Sequence, residues 1–372
     1  MKSVWLFRGL HNCISRSVSF LFIFVLLILA MAGCAVFSEP EPVPIVSSGG
    51  IIFVTATPAP QLRLSEGQRI LPQDIPATPE TPPTLPPDSY FAEANEMGKV
   101  LVLEYHRLGY PETRYQRTRQ NFQADLQRLL AQNYYPTNFV DLINGLPDVP
   151  PGKKPVVLTF DDSDISQFRV MPDRTIDANS AVGVLLNFHT QHPQAWPMRG
   201  TFFVLGDDNA DHIKIFGQPK WAKAKVKTLV DLGMEVASHT VNHVDLSTVS
   251  AERIEWELAV SKHVIEKLVP GYTVQTMSVP FGGFPYTVEF LRGGSWGDFD
   301  YAYVGNAAAW GGPSLSPFDS EFDAYRVPRL EVTATSFDYW FDYFEQNPHE
   351  YYISDGDPSR LTYPQSEIVA EN

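Results

Sequence analysis

Val156-Val157-Leu158-Thr159-Phe160-Asp161-Asp162 is an apolar run that ends in two adjacent carboxylates, and its reading decides the fold. A short continuous apolar run with β-branched and aromatic residues suits a strand buried on both faces, the kind found in parallel sheets covered by helices. Two unpaired carboxylates are costly to bury. Their place at the strand's end therefore means either a solvated turn or a site where one faces a cation and the other handles protons.

Working outward, similar runs recur at Val100–Tyr105, Gly200–Leu205, Met234–Ser238 and Val274–Val279. Helical periodicity lies between them. Phe122, Leu126, Leu129 and Leu130 share one face. Ile254, Leu258, Ser261, Ile265 and Leu268 line another, behind Ser250 as N-cap, and Gly233 is placed to end a helix carrying Val226, Leu229 and Val230. Strand–helix alternation of this length predicts an α/β fold, a (β/α) barrel, whose functional groups sit at the C-terminal ends of the strands.

A second strand end, Glu235-Val236-Ala237-Ser238-His239-Thr240-Val241-Asn242-His243, places two histidines four apart, on one face if the segment is helical. Two imidazoles and one of the earlier aspartates make a set that leaves metal positions open for water and substrate. No Glu follows His239, so the zinc-protease pattern is absent. The same ligand types would serve a non-haem iron oxygenase, although the Asp-Asp doublet suits hydrolysis better.

Thr159-Phe160-Asp161-Asp162, Gly200-Thr201-Phe202-Phe203, His239-Thr240-Val241-Asn242-His243 and Pro280-Phe281-Gly282, in that order, resemble the motifs of the polysaccharide deacetylases of the NodB-homology group, carbohydrate esterase family 4. The resemblance runs from about residue 100 to residue 355. Leu103-Glu104-Tyr105-His106-Arg107 is similar to members acting on poly-N-acetylglucosamine. The resemblance implies a distorted (β/α) barrel that removes N-acetyl groups from a glycan with a divalent metal, Zn2+ foremost. By motif match Asp162, His239 and His243 are the metal ligands, Asp161 is the general base, and the backbone N–H of Phe281 faces the oxyanion.

Two departures stand out. The arginine expected ahead of the Pro-aromatic turn is missing from Met277-Ser278-Val279-Pro280, and Arg329 or Arg326 is the substitute. The family's late histidine is replaced by Ile353-Ser354-Asp355, so His106 is the preferred proton donor, with Asp355 and His349 behind it. These departures would also fit a glycan-binding protein of the same fold without turnover. Of the aromatics Phe281, Phe284, Tyr286, Trp296 and Trp310, only Phe281 is expected at the site. Residues 293–297 and 307–313 read as loops shaping a groove. His189, His192, His212 and His263 read as surface residues.

The rest of the chain frames this body. Lys2, Arg8 and Arg16 precede an apolar run from Val18 to Ala30 that ends in Met31-Ala32-Gly33-Cys34, resembling a bacterial lipoprotein signal with Cys34 as the lipid attachment. Only Cys13 and Cys34 are cysteines, which leaves the folded body without a thiol. Twelve prolines between Ser38 and Asp88 read as an extended spacer, within which Gly50–Thr55 is the one strand-like patch. The domains expected are thus a signal at 1–33, a linker at 34–97 and a catalytic domain at 98–372. With 28 Lys and Arg against 43 Asp and Glu, the net charge of −15 argues against nucleic acid. A monomer is expected, tethered by lipid to the outer face of a bacterial cell membrane.

Overall fold

Each of the five apolar runs forms a strand, and three further strands complete an eight-stranded, all-parallel sheet. These are β1 (Leu101–Tyr105), β2 (Tyr134–Thr137), β3 (Lys154–Phe160), β4 (Thr201–Val204), β5 (Glu235–Ser238), β6 (Thr276–Ser278), β7 (Gly305–Ala307) and β8 (Leu330–Glu331). They belong to a computed structural model that describes residues 94–206 and 215–364, with the backbone of residues 46–47 and 50–51. Those last residues, in the stretch read as linker, pair antiparallel inside a separate compact unit that ends at Pro58. The apolar run, Cys34, most of the Pro-rich stretch and His212 lie outside the described residues. Within them, no helix is long and apolar enough to cross a membrane.

Strand order is β7-β6-β5-β4-β3-β1-β8, with β2 also on β3. The register gives the distortion. β1 pairs with residues 156–160 of β3, whereas β2 takes residues 154–157 and β4 takes Thr159 and Phe160. β2 and β4 therefore share the other edge of β3. Asn138 closes the join, its Oδ1 accepting from Gly200 N–H at 2.9 Å, while Phe139 N–H donates to Thr201 Oγ1 at 2.8 Å.

The two sheet edges meet through one stretch of chain. Val327 exchanges backbone hydrogen bonds with β7, donating to Asn306 O at 3.1 Å and accepting from Ala308 N–H at 2.8 Å, and three residues later Leu330 pairs with Leu103 of β1. The sheet thereby curls into a distorted (β/α) barrel, as the sequence leads one to expect.

The helices bury the faces read from their periodicity. α1 (Arg119–Ala131) packs Phe122, Leu126 and Leu129 inward, and α2 (Ala181–Gln191) follows β3. α3 (Ala222–Asp231) buries Val226 and Leu229 and is followed by Gly233 at φ 89°. α4 (Ala251–Leu268) starts at Ser250, whose Oγ accepts from Arg253 N–H, and buries Ile254, Leu258, Ser261 and Ile265. Truncating Leu258, fully buried, to alanine would cost about 2–5 kcal/mol. α5 (Ala334–Gln346) carries a row of buried phenylalanines, Phe337, Phe341 and Phe344.

Two expectations fail here. Residues 293–297 are no groove loop: Gly293–Trp296 and Phe299–Ala302 form a hairpin packed on α4. His189 is buried, its Nδ1 2.8 Å from Trp196 O, because it lies on the inner face of α2. His192 and His263 are half-buried against Phe188 and Phe299.

Candidate active site

The C-terminal ends of the strands surround a cavity of about 250 Å³. His106 follows β1, Asp161 and Asp162 follow β3, and His239 and His243 follow β5. Phe281 follows β6, Ala309 and Trp310 follow β7, and Glu331 ends β8; all line this space.

Asp162 leaves the strand in a left-handed conformation (φ 75°), as does Ser163 (φ 55°). Such residues cost about 1–3 kcal/mol each and persist where neighbours fix them. Here Ser163 Oγ accepts from Leu205 N–H at 2.9 Å, and Gln167 Nε2 donates to the carbonyls of both His106 and Asp161. Turned this way, Asp162 Oδ1 lies 3.1 Å from His243 Nε2 and 3.5 Å from His239 Nε2. Ligand atoms of the three residues all fall within 4.8 Å of one another.

The histidine segment is a loop rather than a helix. Thr240 (φ 67°) and His243 (φ 52°) bend it so that both rings face Asp162, 5.0 Å apart. His239 Nδ1 meets Ser278 O at 2.9 Å. With Nδ1–H donating there, the lone pair of Nε2 points into the site, the arrangement typical of a metal-ligating imidazole.

Asp161 is buried and clamped. Arg329 Nη1 donates to its Oδ1 at 2.7 Å and Nη2 to its Oδ2 at 2.8 Å, and Ser278 Oγ lies 3.2 Å from Oδ2. Burial alone would raise the Asp161 pKa, but Arg329 and His239 overcome it and hold the carboxyl down at about 2. Of the two arginines offered as substitutes for the missing one, Arg329 is at the site. Arg326 is exposed, over the Phe284 ring and 3.9 Å from Asp323. The stretch lacking the arginine supplies Ser278 instead, whose small side chain accepts from Arg329 Nη2 at 2.9 Å.

Sequence reading missed Glu104. It is 5% exposed, its Oε1 is 3.5 Å from His106 Nε2 and 3.4 Å from Arg329 Nη2, and its Oε2 has no hydrogen-bond partner among the described residues. Burial drives its pKa well above the usual carboxylate value, with Arg329 opposing and Asp161 reinforcing. Glu104, His106 and Asp161 could by proximity form another cation site. The Arg329 guanidinium already occupies both oxygens of Asp161 there. The signal available was the strand pattern, since a Glu inside an otherwise apolar five-residue strand needs a partner.

His106 lies beside this group, its ring edge-on to Tyr115 at 5.1 Å. Burial lowers its pKa, against the pull of Asp161 and Asp162. The other donors considered are far away. Asp355 accepts from Arg360 and Thr362, and Ser354 N–H bonds Lys153 O at the start of β3, so this stretch lies at the opposite end of the barrel. His349 is there too, its carbonyl accepting from Asn95.

Phe281 (φ 57°) is 60% exposed at the cavity mouth, 4.5 Å from the His243 ring. Trp310, not expected at the site, is equally exposed and stands over Gly282. A Cβ at Gly282 (φ 64°) would lie 2.7 Å from the indole, so this left-handed position favours glycine, and one at Gly283 would lie 1.9 Å from Asp245 Oδ1 and displace that carboxylate.

The family described as polysaccharide deacetylase has a model that matches residues 148–292, which contain both the Asp-Asp and the His-x-x-x-His strand ends. The chain carries a polysaccharide deacetylase domain. Solved structures similar to it include the polysaccharide deacetylase BC0361 from Bacillus cereus, at 20% identity over 66% of this chain and 68% of that one, TM-score 0.48. Streptococcus pyogenes deacetylase PplD is 18% identical over 66% of this chain and 97% of its own, TM-score 0.48. IcaB from Ammonifex degensii is 21% identical over 65% and 94%, TM-score 0.45. No curated protein matches the chain. The matched segment ends before Arg329, which arrives from the barrel's closing stretch.

Proposed function

We propose that the deacetylase domain is metal-dependent and removes N-acetyl groups from an N-acetylglucosamine-containing polysaccharide, of the peptidoglycan or poly-N-acetylglucosamine type. The observation that carries this reading is Asp162 Oδ1: buried, without a satisfactory hydrogen bond among the described residues, and facing two imidazole nitrogens. An orphaned buried oxygen beside two nitrogen donors fits a borderline divalent cation such as Zn2+. The surrounding field agrees, since Asp161 and Asp162 outweigh burial and hold His239 above its ordinary pKa.

Asp162, His239 and His243 would hold the ion. When bound, it supplies a Lewis acid for the acetamide carbonyl and makes water more acidic. The rest falls to the chain's own groups. Asp161, kept anionic by Arg329, takes the proton from the attacking water as the C–O bond forms. The Phe281 N–H faces the carbonyl oxygen as negative charge develops there. As the C–N bond breaks, His106 gives a proton to the departing amine. Its lowered pKa makes it a stronger acid but shrinks its protonated fraction at neutral pH.

The test is acetate release from poly-N-acetylglucosamine, peptidoglycan, chitin oligomers and acetylated xylan, before and after chelation and with Zn2+ restored. Metal-dependent release from the N-acetylated polymers supports the reading; metal binding with no release from any polymer favours a glycan-binding role instead. We further propose, on the resemblance of residues 1–34 to a lipoprotein signal, that Cys34 anchors the enzyme to the outer face of a bacterial membrane.

A further inference from the structure

α4 carries a carboxylate within its apolar stripe. Glu257, with no exposed surface, lies among Ile254, Leu258 and Ser261. The reaction above makes no use of it. Its Oε2 accepts from Val241 N–H at 2.7 Å and from Asn242 N–H at 2.9 Å. Its Oε1 is 3.4 Å from Asn242 Nδ2 and is paired with Arg253 one turn earlier, at 3.0 Å from Nε and 2.7 Å from Nη2.

Val241 and Asn242 are two of the three residues between His239 and His243, and they are flanked by the left-handed Thr240 and His243. A loop with two such residues keeps its shape only where surroundings over-determine it. The bond from His243 N–H to Thr240 Oγ1, at 3.1 Å, is internal to the loop. Glu257 reaches it from outside, with charge-assisted bonds in a water-free position. We infer that Glu257 is a positioning residue for the two histidines: by gripping the backbone between them it aims both Nε2 atoms at Asp162. This rests on the reading of Asp162, His239 and His243 as metal ligands.

The variants separate hydrogen bonding from charge. Glu257→Gln keeps an oxygen able to accept both N–H groups, and the half-exposed Arg253 is free to turn outward. Glu257→Asp keeps the charge but is one methylene short. Glu257→Leu removes the acceptor. Zn2+ affinity of the full chain, by competition with a chromophoric chelator, is measured alongside thermal unfolding, with His243→Ala as control.

We expect His243→Ala to lose tight binding and Glu257→Gln to stay within about threefold of wild type. Glu257→Asp and Glu257→Leu weaken affinity by about 10–100-fold, the range for outer-shell partners of ligands. A purely structural role would lower the unfolding temperature and leave the affinity alone, so wild-type affinity in Glu257→Asp overturns the inference. Should Glu257→Leu not fold, Glu257→Asp carries the test. A Glu257→Gln variant as weak as Glu257→Asp also overturns it. If wild type binds no Zn2+, or His243→Ala binds as tightly, the ligand assignment itself fails and takes the inference with it.

Discussion

Arg329 takes both oxygens of Asp161 in a two-pronged contact at 2.7 and 2.8 Å, although 168 residues separate them in the chain. The pair holds because β8 closes the barrel against β1, with Leu330 opposite Leu103. It sets both the charge and the orientation of the proposed base.

Replacing Arg329 by lysine is therefore not conservative, since an ammonium cannot bond both oxygens in one plane. Arg329→Lys is expected to lower kcat for acetate release by about 100-fold with little change in KM. Arg329→Met leaves a buried carboxylate unpaired and should lose about 3–5 kcal/mol of stability in urea unfolding. Unchanged kcat in Arg329→Lys would remove the arginine from the mechanism.

His106 is tested by His106→Asn. A lost proton donor costs about 10²–10⁴ in kcat, and the defect should shrink for substrates whose leaving group needs no proton, such as an activated acetate ester. Equal loss on both substrates would point to damaged packing rather than lost acid chemistry.

Trp310 offers an exposed indole face beside Gly282 at the cavity mouth. Sugar rings stack on such faces. Trp310→Ala should raise KM for a polymer by about tenfold while leaving kcat within twofold; a KM unchanged on every polymer would dismiss the stacking role.

Much of this was readable in advance, and the exceptions share a cause. The strand ends holding Asp161, Asp162 and His239 were legible because a buried parallel strand must be apolar throughout and stop where polarity begins. The α4 stripe was legible for the same reason. Arg329 and Ser278 meet Asp161 only through barrel closure, which no local pattern encodes, so the preference for Arg329 over Arg326 had no local signal behind it. Asp355 failed as a donor because the last segment returns to the opposite end of the barrel, beside Lys153 and Asn95. The bend of residues 239–243 was hidden because positive φ at Thr240 and His243 is imposed by tertiary contacts, with no glycine to announce it.

Away from the site, Lys225 of α3 is buried, with Nζ donating to Phe216 O at 2.9 Å, and burial, aided by Arg169, lowers its pKa to about 7. Unfolded, it would keep its proton to about pH 10.4. The unfolded chain thus holds more protons between those values, so this residue makes stability rise as pH climbs from about 7 to 10 and fall as pH drops back over that range, levelling off below about 7. Lys153 and Lys154, also lowered by burial, act in the same sense. In Lys225→Met the rise in unfolding temperature between pH 7 and 9.5 should be smaller than in wild type; an identical slope would contradict the shift.

The central claim is that Asp162, His239 and His243 hold a cation beside a base, Asp161, that does not itself bind it. Metal content and acetate release of Asp161→Asn, measured on the same sample, test this most directly. The expected result is Zn2+ bound at wild-type stoichiometry with turnover reduced by at least about 1000-fold. Full turnover in Asp161→Asn, or loss of the metal along with activity, would contradict it.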